Sequence, residues 1–326
     1  MKNPPSGIEI RPYVESDLTE MPAMYKSCFG LQVNERYFHW RYRENPAGPV
    51  AASCAVKNGK LCAFYGLLPE MFEKDGIELK AYQSMDTMTH PDFQRMGLFN
   101  LTAKATFDFV LEKERVLNLF GIPGHRALPG FVKMGWEHPH DFPLLFQHAK
   151  VIRKSGTRDG SVVSAATSVT DWENYFKARK PMIGIIRRKL SHAYLDWHFF
   201  RNPLFRFDTL CLTNSEGLEG FLISRDMGNS RRLICLFDSR EPGKREDIAL
   251  QLISELASQH PGKWLYAWEP TEKILRRAFK KARMIKNPFS RGPFSHRVPL
   301  ILHQLGTAKP EWRESSNFDW QAGYQD

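Results

Sequence analysis

Apolar and polar positions divide the chain into strands and helices in a recurring order. Residues 51–57 and 60–67 read as two strands joined at Asn58-Gly59. Asn-Gly between apolar runs is the strongest short hairpin signal. Residues 79–90 form a further strand, which Pro91 stops. A helix then runs from Leu98 to about residue 112, with Leu98, Leu101, Ala105 and Phe109 at helical spacing. Residues 116–120 are an apolar strand ending in the turn Gly121-Ile122-Pro123-Gly124. The second half repeats this order. Residues 208–213 and 218–225 make a hairpin, and 263–268 a later strand ending at Pro270. Leu275, Ala278, Phe279 and Ala282 mark a helix beyond it.

The repeat is also written in rare residues. Tyr37-Phe38-His39-Trp40-Arg41-Tyr42-Arg43-Glu44-Asn45-Pro46 matches Tyr194-Leu195-Asp196-Trp197-His198-Phe199-Phe200-Arg201-Asn202-Pro203 as Y-x-x-W-x-[YF]-x-x-N-P. Shared order and spacing argue for two copies of one α/β unit. The expected fold class is α/β, a mixed sheet flanked by helices in each copy. The expected division is 1–155 and 156–326, with a turn-rich junction near Ser155 to Ser168. The aromatic tail (Phe318, Trp320, Tyr324) is expected to pack on the body.

Composition adds a charge asymmetry. The formal net charge is +10, and residues 1–150 carry 17 basic and 17 acidic side chains, so the whole excess lies beyond residue 150. That points to an anionic partner or to a solvated basic face. Arg276, Arg277, Lys280, Lys281, Arg283 and Lys286 cluster on and after the last predicted helix. At 42% hydrophobic residues the chain is not a disordered one. No apolar run approaches the roughly 20 residues of a membrane span. Five widely spaced cysteines form no CxxC pair, so no disulfide framework or metal site is expected, and a reduced, cytoplasmic chain is.

The segment Gln94-Arg95-Met96-Gly97 lies between a strand and a helix start. A helix N-terminus leaves four N–H groups without intrahelical partners and carries about half a positive charge. Gly97 has no Cβ and lets anion oxygens approach the backbone. Gln94 and Arg95 add donors. Strand, turn, Gln-Arg-Met-Gly and helix therefore make a plausible diphosphate site. A splay between the preceding and following strands would expose unpaired amides to a long thin ligand.

Thr89-His90-Pro91-Asp92-Phe93-Gln94-Arg95-Met96-Gly97-Leu98-Phe99 resembles the signature of the GNAT superfamily of CoA-dependent N-acyltransferases, a strand followed by [QR]-x-x-G-x-[GA]. Gln94 and Gly97 match; Phe99 departs, where glycine or alanine is usual. Ile122-Pro123-Gly124 and Phe131-Val132-Lys133-Met134-Gly135-Trp136 resemble the family's next strand and helix. The resemblance covers Ile8 to about Trp136 well and Trp172 to Asp326 weakly. The second copy has Ser239-Arg240-Glu241-Pro242-Gly243-Lys244-Arg245-Glu246 in place of the cradle and reads as degenerate.

The resemblance implies acyl-CoA as co-substrate. It places the amides of Met88 and Thr89 along the acyl–pantetheine arm. Gln94, Arg95, Met96, Gly97, Leu98, Phe99 and Asn100 would hold the pyrophosphate. The tandem boxes resemble GNAT proteins of bacterial polysaccharide pathways, among them sugar N-acyltransferases. This implies a small-molecule amine as partner, in its finest form an amino sugar on a nucleoside diphosphate. Direct attack needs a neutral amine. Asp86 and His125 are the candidate bases, since one lies on the strand before the cradle and the other beside the turn after residue 121. Gln83 stands where some relatives carry a glutamate base. Phe131 stands near the usual tyrosine acid. An aminoacyl-tRNA-dependent tandem transferase and a non-catalytic binding protein are the alternatives. The intact cradle and the lack of a coiled-coil arm or basic tail speak against the RNA reading.

Overall fold

The computed structural model describes residues 4–153, 162–164, 168–287, 297–306, 310–314 and 318–324. Six strands come from the first half: β1 (Glu9–Pro12), β2 (Ala51–Lys57), β3 (Lys60–Lys74), β4 (Ile77–Thr89), β5 (Val116–Gly121) and β6 (Glu137–His148). Eight follow: β7 (Val162–Ser164), β8 (Arg187–Arg188), β9 (Phe207–Asn214), β10 (Gly217–Gly228), β11 (Arg231–Ser239), β12 (Trp264–Trp268), β13 (Ile285–Lys286) and β14 (Arg297–Gly306). The helices are α1 (Met21–Phe29), α2 (Glu35–Arg43), α3 (Leu98–Leu111), α4 (Leu128–Lys133), α5 (Val169–Ala178), α6 (His192–Leu195), α7 (Arg245–Gln259) and α8 (Lys273–Lys281). Most of the junction near residues 155–168 lies outside the described residues.

The strands join in the order β1-β2-β3-β4-β5-β14-β6-β12-β11-β10-β9-β7. Hairpins β2–β3 and β9–β10 stand where their turns predicted them. A third hairpin, β3–β4, turns at Asp75-Gly76, both at positive φ. The last long strand, β14, enters the sheet between β5 and β6. β6 in turn pairs β14 through Pro143 and β12 from Leu144 onward. The two runs of sequence thus exchange strands, and one hydrophobic core holds Phe64, Phe72 and Phe142 together with Trp197, Phe221 and Trp268.

The repeated boxes meet at the centre. Trp40 and Trp197 stack with centroids 5.3 Å apart. Each indole N–H donates to the other's backbone carbonyl, at 2.9 and 3.0 Å. The first box is a regular α-helix, capped by Asn34, whose side chain accepts from the Tyr37 N–H. The second is α6 continued by a π turn over Asp196–Phe200. The described tail packs as predicted: Phe318 and Trp320 are buried and stacked.

In α3 the buried stripe is Leu98, Thr102, Ala103, Thr106, Phe107 and Val110. The predicted positions Leu101, Ala105 and Phe109 lie at its partly buried margin. Two threonines reach the core because their hydroxyls donate back to the helix, to Leu98 and Thr102 carbonyls at 2.9 and 2.8 Å.

Candidate active-site cleft

β4 and β5 pair in parallel only at Tyr82–Ser84 with Leu119–Gly121. Beyond that β4 continues to Thr89 while β5 ends, so the strands part. β4 also bulges here: Gly66 faces Met85, but Phe64 faces Met88. Asp86 sits in the bulge at φ 46°. Such bulges re-aim side chains and end pairing beside active sites.

The open edge is set by hydrogen-bond alternation. His90 N–H donates to the Cys62 carbonyl at 2.9 Å. In an antiparallel ladder this makes Phe64–Met88 the hydrogen-bonded pair and turns Thr89 outward. The amide of Met88 is therefore committed to β3, and the expectation for it is corrected. Thr89 keeps its place on the edge, and its carbonyl accepts from the Cys28 thiol at 3.5 Å. Burial pushes the Cys28 thiol pKa up.

The cradle follows. Pro91–Phe93 is one 3-10 turn, with the His90 ring accepting from the Asp92 N–H. Arg95 at φ 64° and Gly97 at φ 79° are both left-handed. Alternation of hand turns successive N–H groups toward one concave side. The first return bond is from Leu101 N–H to the Gly97 carbonyl, at 3.2 Å. Among the described residues, the N–H groups of 95–100 donate to no backbone carbonyl, and α3 has no side-chain cap. A Cβ placed on Gly97 meets nothing within 4 Å.

These parts border one cleft of ≈ 590 Å³. Of the residues expected to hold the ligand, Thr89, Gln94, Arg95, Gly97, Leu98 and Phe99 line it; Met96 and Asn100 are exposed outside the lining. Cys28, Phe29, Thr87, Arg126, Ala127 and Gly130 also line it and were not foreseen. Phe99 fits because α4 makes room. Its ring packs edge-on against Phe131 at 5.2 Å, and a Cβ on Gly130 would stand 3.3 Å from that ring.

The two candidate bases are not brought together in the cleft. The Asp86 side chain is 6% exposed, 3.4 Å from Arg41 Nε, and accepts from the Tyr42 hydroxyl at 2.9 Å. Burial and then the Asp86 charge push the Tyr42 phenol pKa well up. His125 is exposed on the turn after β5, one residue before Arg126. Neither lines the cleft, and no carboxylate or imidazole among the described residues does. Phe131 is the buried residue of α4 itself, also off the lining.

The basic cluster on α8 is partly neutralised inside the chain. Arg277 and Lys281 both hold Glu246, at 2.9 and 2.5 Å. Other basic residues are buried in a network: Asp238 contacts Arg179 at 2.8 Å and Arg245 at 3.2 Å. Among the described residues no helix is long and apolar enough to cross a membrane.

No protein-family model and no curated protein matches this sequence. Solved structures do resemble it. A conserved protein of unknown function from Enterococcus faecalis V583, described as a probable N-acyltransferase, superposes with TM-score 0.67 at 10% identity over 90% of this chain and 71% of its own. A GCN5-related N-acetyltransferase from Anabaena variabilis ATCC 29413 gives 0.63 at 10% identity, covering 90% and 72%. The GCN5-related glucosamine N-acetyltransferase region of a fungal multi-domain GH3 β-N-acetylglucosaminidase gives 0.58 at 15% identity, covering 92% of this chain and 38% of that one. The parted β4 and β5, the bulge and the amide cradle thus belong to a chain with the fold of the GCN5-related N-acetyltransferases.

Proposed function

We propose that this protein is an N-acyltransferase that moves a short acyl group from acyl-CoA to the amine of a small molecule, and that the acceptor is an amino sugar. One observation carries the reading: the amides at 95–100 have no backbone acceptor, and Arg95, Gly97, Leu98 and Phe99 among them line the same cleft as the edge of β4 that β5 leaves unpaired. The row suits a diphosphate, and the edge suits the amides of a pantetheine arm. Arg95 and Arg126 on the lining add positive charge for the anion.

In the proposed step the amine nitrogen attacks the thioester carbonyl carbon. The C–N bond forms, the C–S bond breaks, and the sulfur leaves as thiolate. The nitrogen gives its proton to water, and the thiolate takes one from solvent. No cleft side chain is assigned to either transfer, because no carboxylate or imidazole lines it among the described residues. An amine that is largely neutral near pH 8 suits such a site better than a lysine, whose pKa is near 10.4. A sugar amine flanked by electron-withdrawing oxygens is of that kind. The likeness to a glucosamine N-acetyltransferase region supports the same class. Asp86 is assigned a positioning role, holding Arg41 and Tyr42 around the bulge.

We read 1–155 and 156–326 as tandem copies, of which the first carries the cleft. The mutual tryptophan pair supports that reading.

Turnover tests the function. The purified chain is given acetyl-CoA with glucosamine, a nucleoside-diphosphate amino sugar or a lysine peptide, and free thiol is followed. Amino sugars should release thiol, with kcat/KM rising with pH as the amine loses its proton. Release with the peptide alone, or with none of the three, contradicts the proposal.

A further inference from the structure

We infer that the chain's own C-terminal segment fills, in the second half, the strand-edge groove that the first half leaves open, so that each chain takes one nucleotide thioester and not two. The ligand named for the first groove rests on the reading above; the filling of the second does not.

β11 repeats the behaviour of β4. It pairs in parallel with β12 only from Arg231 to Leu233. Its ladder with β10 then shifts register between Ile223 and Ser224, as β4 shifts against β3 near Asp86. It continues to Ser239 paired with β10 and no longer with β12. Arg240 N–H donates to the Glu219 carbonyl at 2.7 Å. By the same alternation that exposes Thr89, Phe237 turns its N–H and carbonyl away from β10.

Both groups are met by one side chain. Phe237 N–H donates to Gln321 Oε1 at 2.7 Å, and Gln321 Nε2 donates to the Phe237 carbonyl at 3.0 Å. A primary carboxamide thereby completes the strand edge in the manner of an incoming amide. The tail lies close against β11 just beyond it. A Cβ on Gly323 would stand 2.9 Å from the Cys235 carbonyl and 3.0 Å from the Phe199 ring.

The start of the following helix is closed as well. α3 begins at an open glycine, but α7 begins at Arg245, which is fully buried. Its guanidinium holds Asp319 of the tail at 2.8 Å, Asp238 at 3.2 Å and Glu272 at 3.3 Å. Phe318 and Trp320 on either side of Asp319 stack at 4.9 Å and bury against Phe72. The segment is therefore anchored at the helix start and along the strand edge together.

Two measurements on the full chain test this. Titration calorimetry counts acetyl-CoA sites, and amide hydrogen exchange reads Phe237. Gln321→Met, of similar volume and without the amide, removes both bonds; Gln321→Asn, too short to reach, is the second variant. The wild type should bind one equivalent, and exchange at Phe237 should rise about fivefold or more in both variants, as loss of about 1 kcal/mol of hydrogen bonding requires. Two equivalents in the wild type overturn the inference, as does unchanged exchange in both variants. Absence of any binding sinks the transferase reading instead, and the exchange result then decides the tail alone.

Discussion

Replacing Gly97 by glutamate separates an anion cradle from an ordinary packing glycine. Gly97 has φ 79° and ψ 8°, a conformation that costs an L-residue about 1–2 kcal/mol. A Cβ there meets nothing within 4 Å, so Gly97→Ala should incur that strain and no clash. The melting temperature should fall by about 2–4 °C per kcal/mol, or less in a chain of this length. Gly97→Glu carries the same backbone strain and adds a carboxylate at the mouth of the cradle. A unit charge about 5 Å from another of its sign costs about 3 kcal/mol at an effective dielectric of about 20. That is about 100-fold or more in affinity for a bound diphosphate. Thermal melts and acetyl-CoA calorimetry on both variants give the comparison. Similar melting temperatures with affinity lost only in the glutamate variant support the cradle. Wild-type affinity in Gly97→Glu, or equal loss in both variants, refutes it.

Three further outcomes are expected. Trp40→Phe and Trp197→Phe each remove one interlocked bond and strand a buried carbonyl, which should cost about 1–3 kcal/mol in urea unfolding; the double variant should lose less than the sum, and strict additivity would count against a shared contact. At low pH, Asp238 is pushed up by burial but pulled net below the carboxylate range by Arg179, Arg187 and Arg245, and Asp17, Glu114 and Glu246 are lowered as well. Their contribution is complete above about pH 4 and is lost as pH falls through the depressed native values, with Asp319, raised by burial, opposing in part; a flat unfolding free energy from pH 5 to 2 would contradict this. Asp86→Asn should lower kcat while leaving acetyl-CoA affinity and the shape of the pH–rate profile in place, because Asp86 is off the lining; loss of a limb of that profile would restore it as a base.

Much of the fold can be read locally. Asn58-Gly59 announces its hairpin, and the tryptophan boxes announce the repeat. The exchange of β14 cannot be read that way, since an apolar strand carries no label for its neighbours. The cradle is legible because backbone shape is written in Gln94, Gly97 and the proline stop at Pro91. The edge is not. Whether Met88 or Thr89 faces outward depends on the bulge at Asp86, which no local signal marks. Cys28 and Phe29 come to the cleft from about 60 residues upstream, through the packing of α1. The wet basic face of α8 is legible in its sequence, but that Glu246 of α7 answers two of its cations is not. The tail's aromatics predicted burial, while Gln321 gave no hint of its role.

The central claim is that the amides of 95–100 hold a nucleotide thioester's diphosphate. A crystal grown with acetyl-CoA tests it most directly. The account predicts phosphate oxygens within hydrogen-bond distance of those amides, with the pantetheine arm running along β4 past Thr89. Acetyl-CoA bound elsewhere on the chain, or density that shows the cradle without phosphate at saturating ligand, would contradict it.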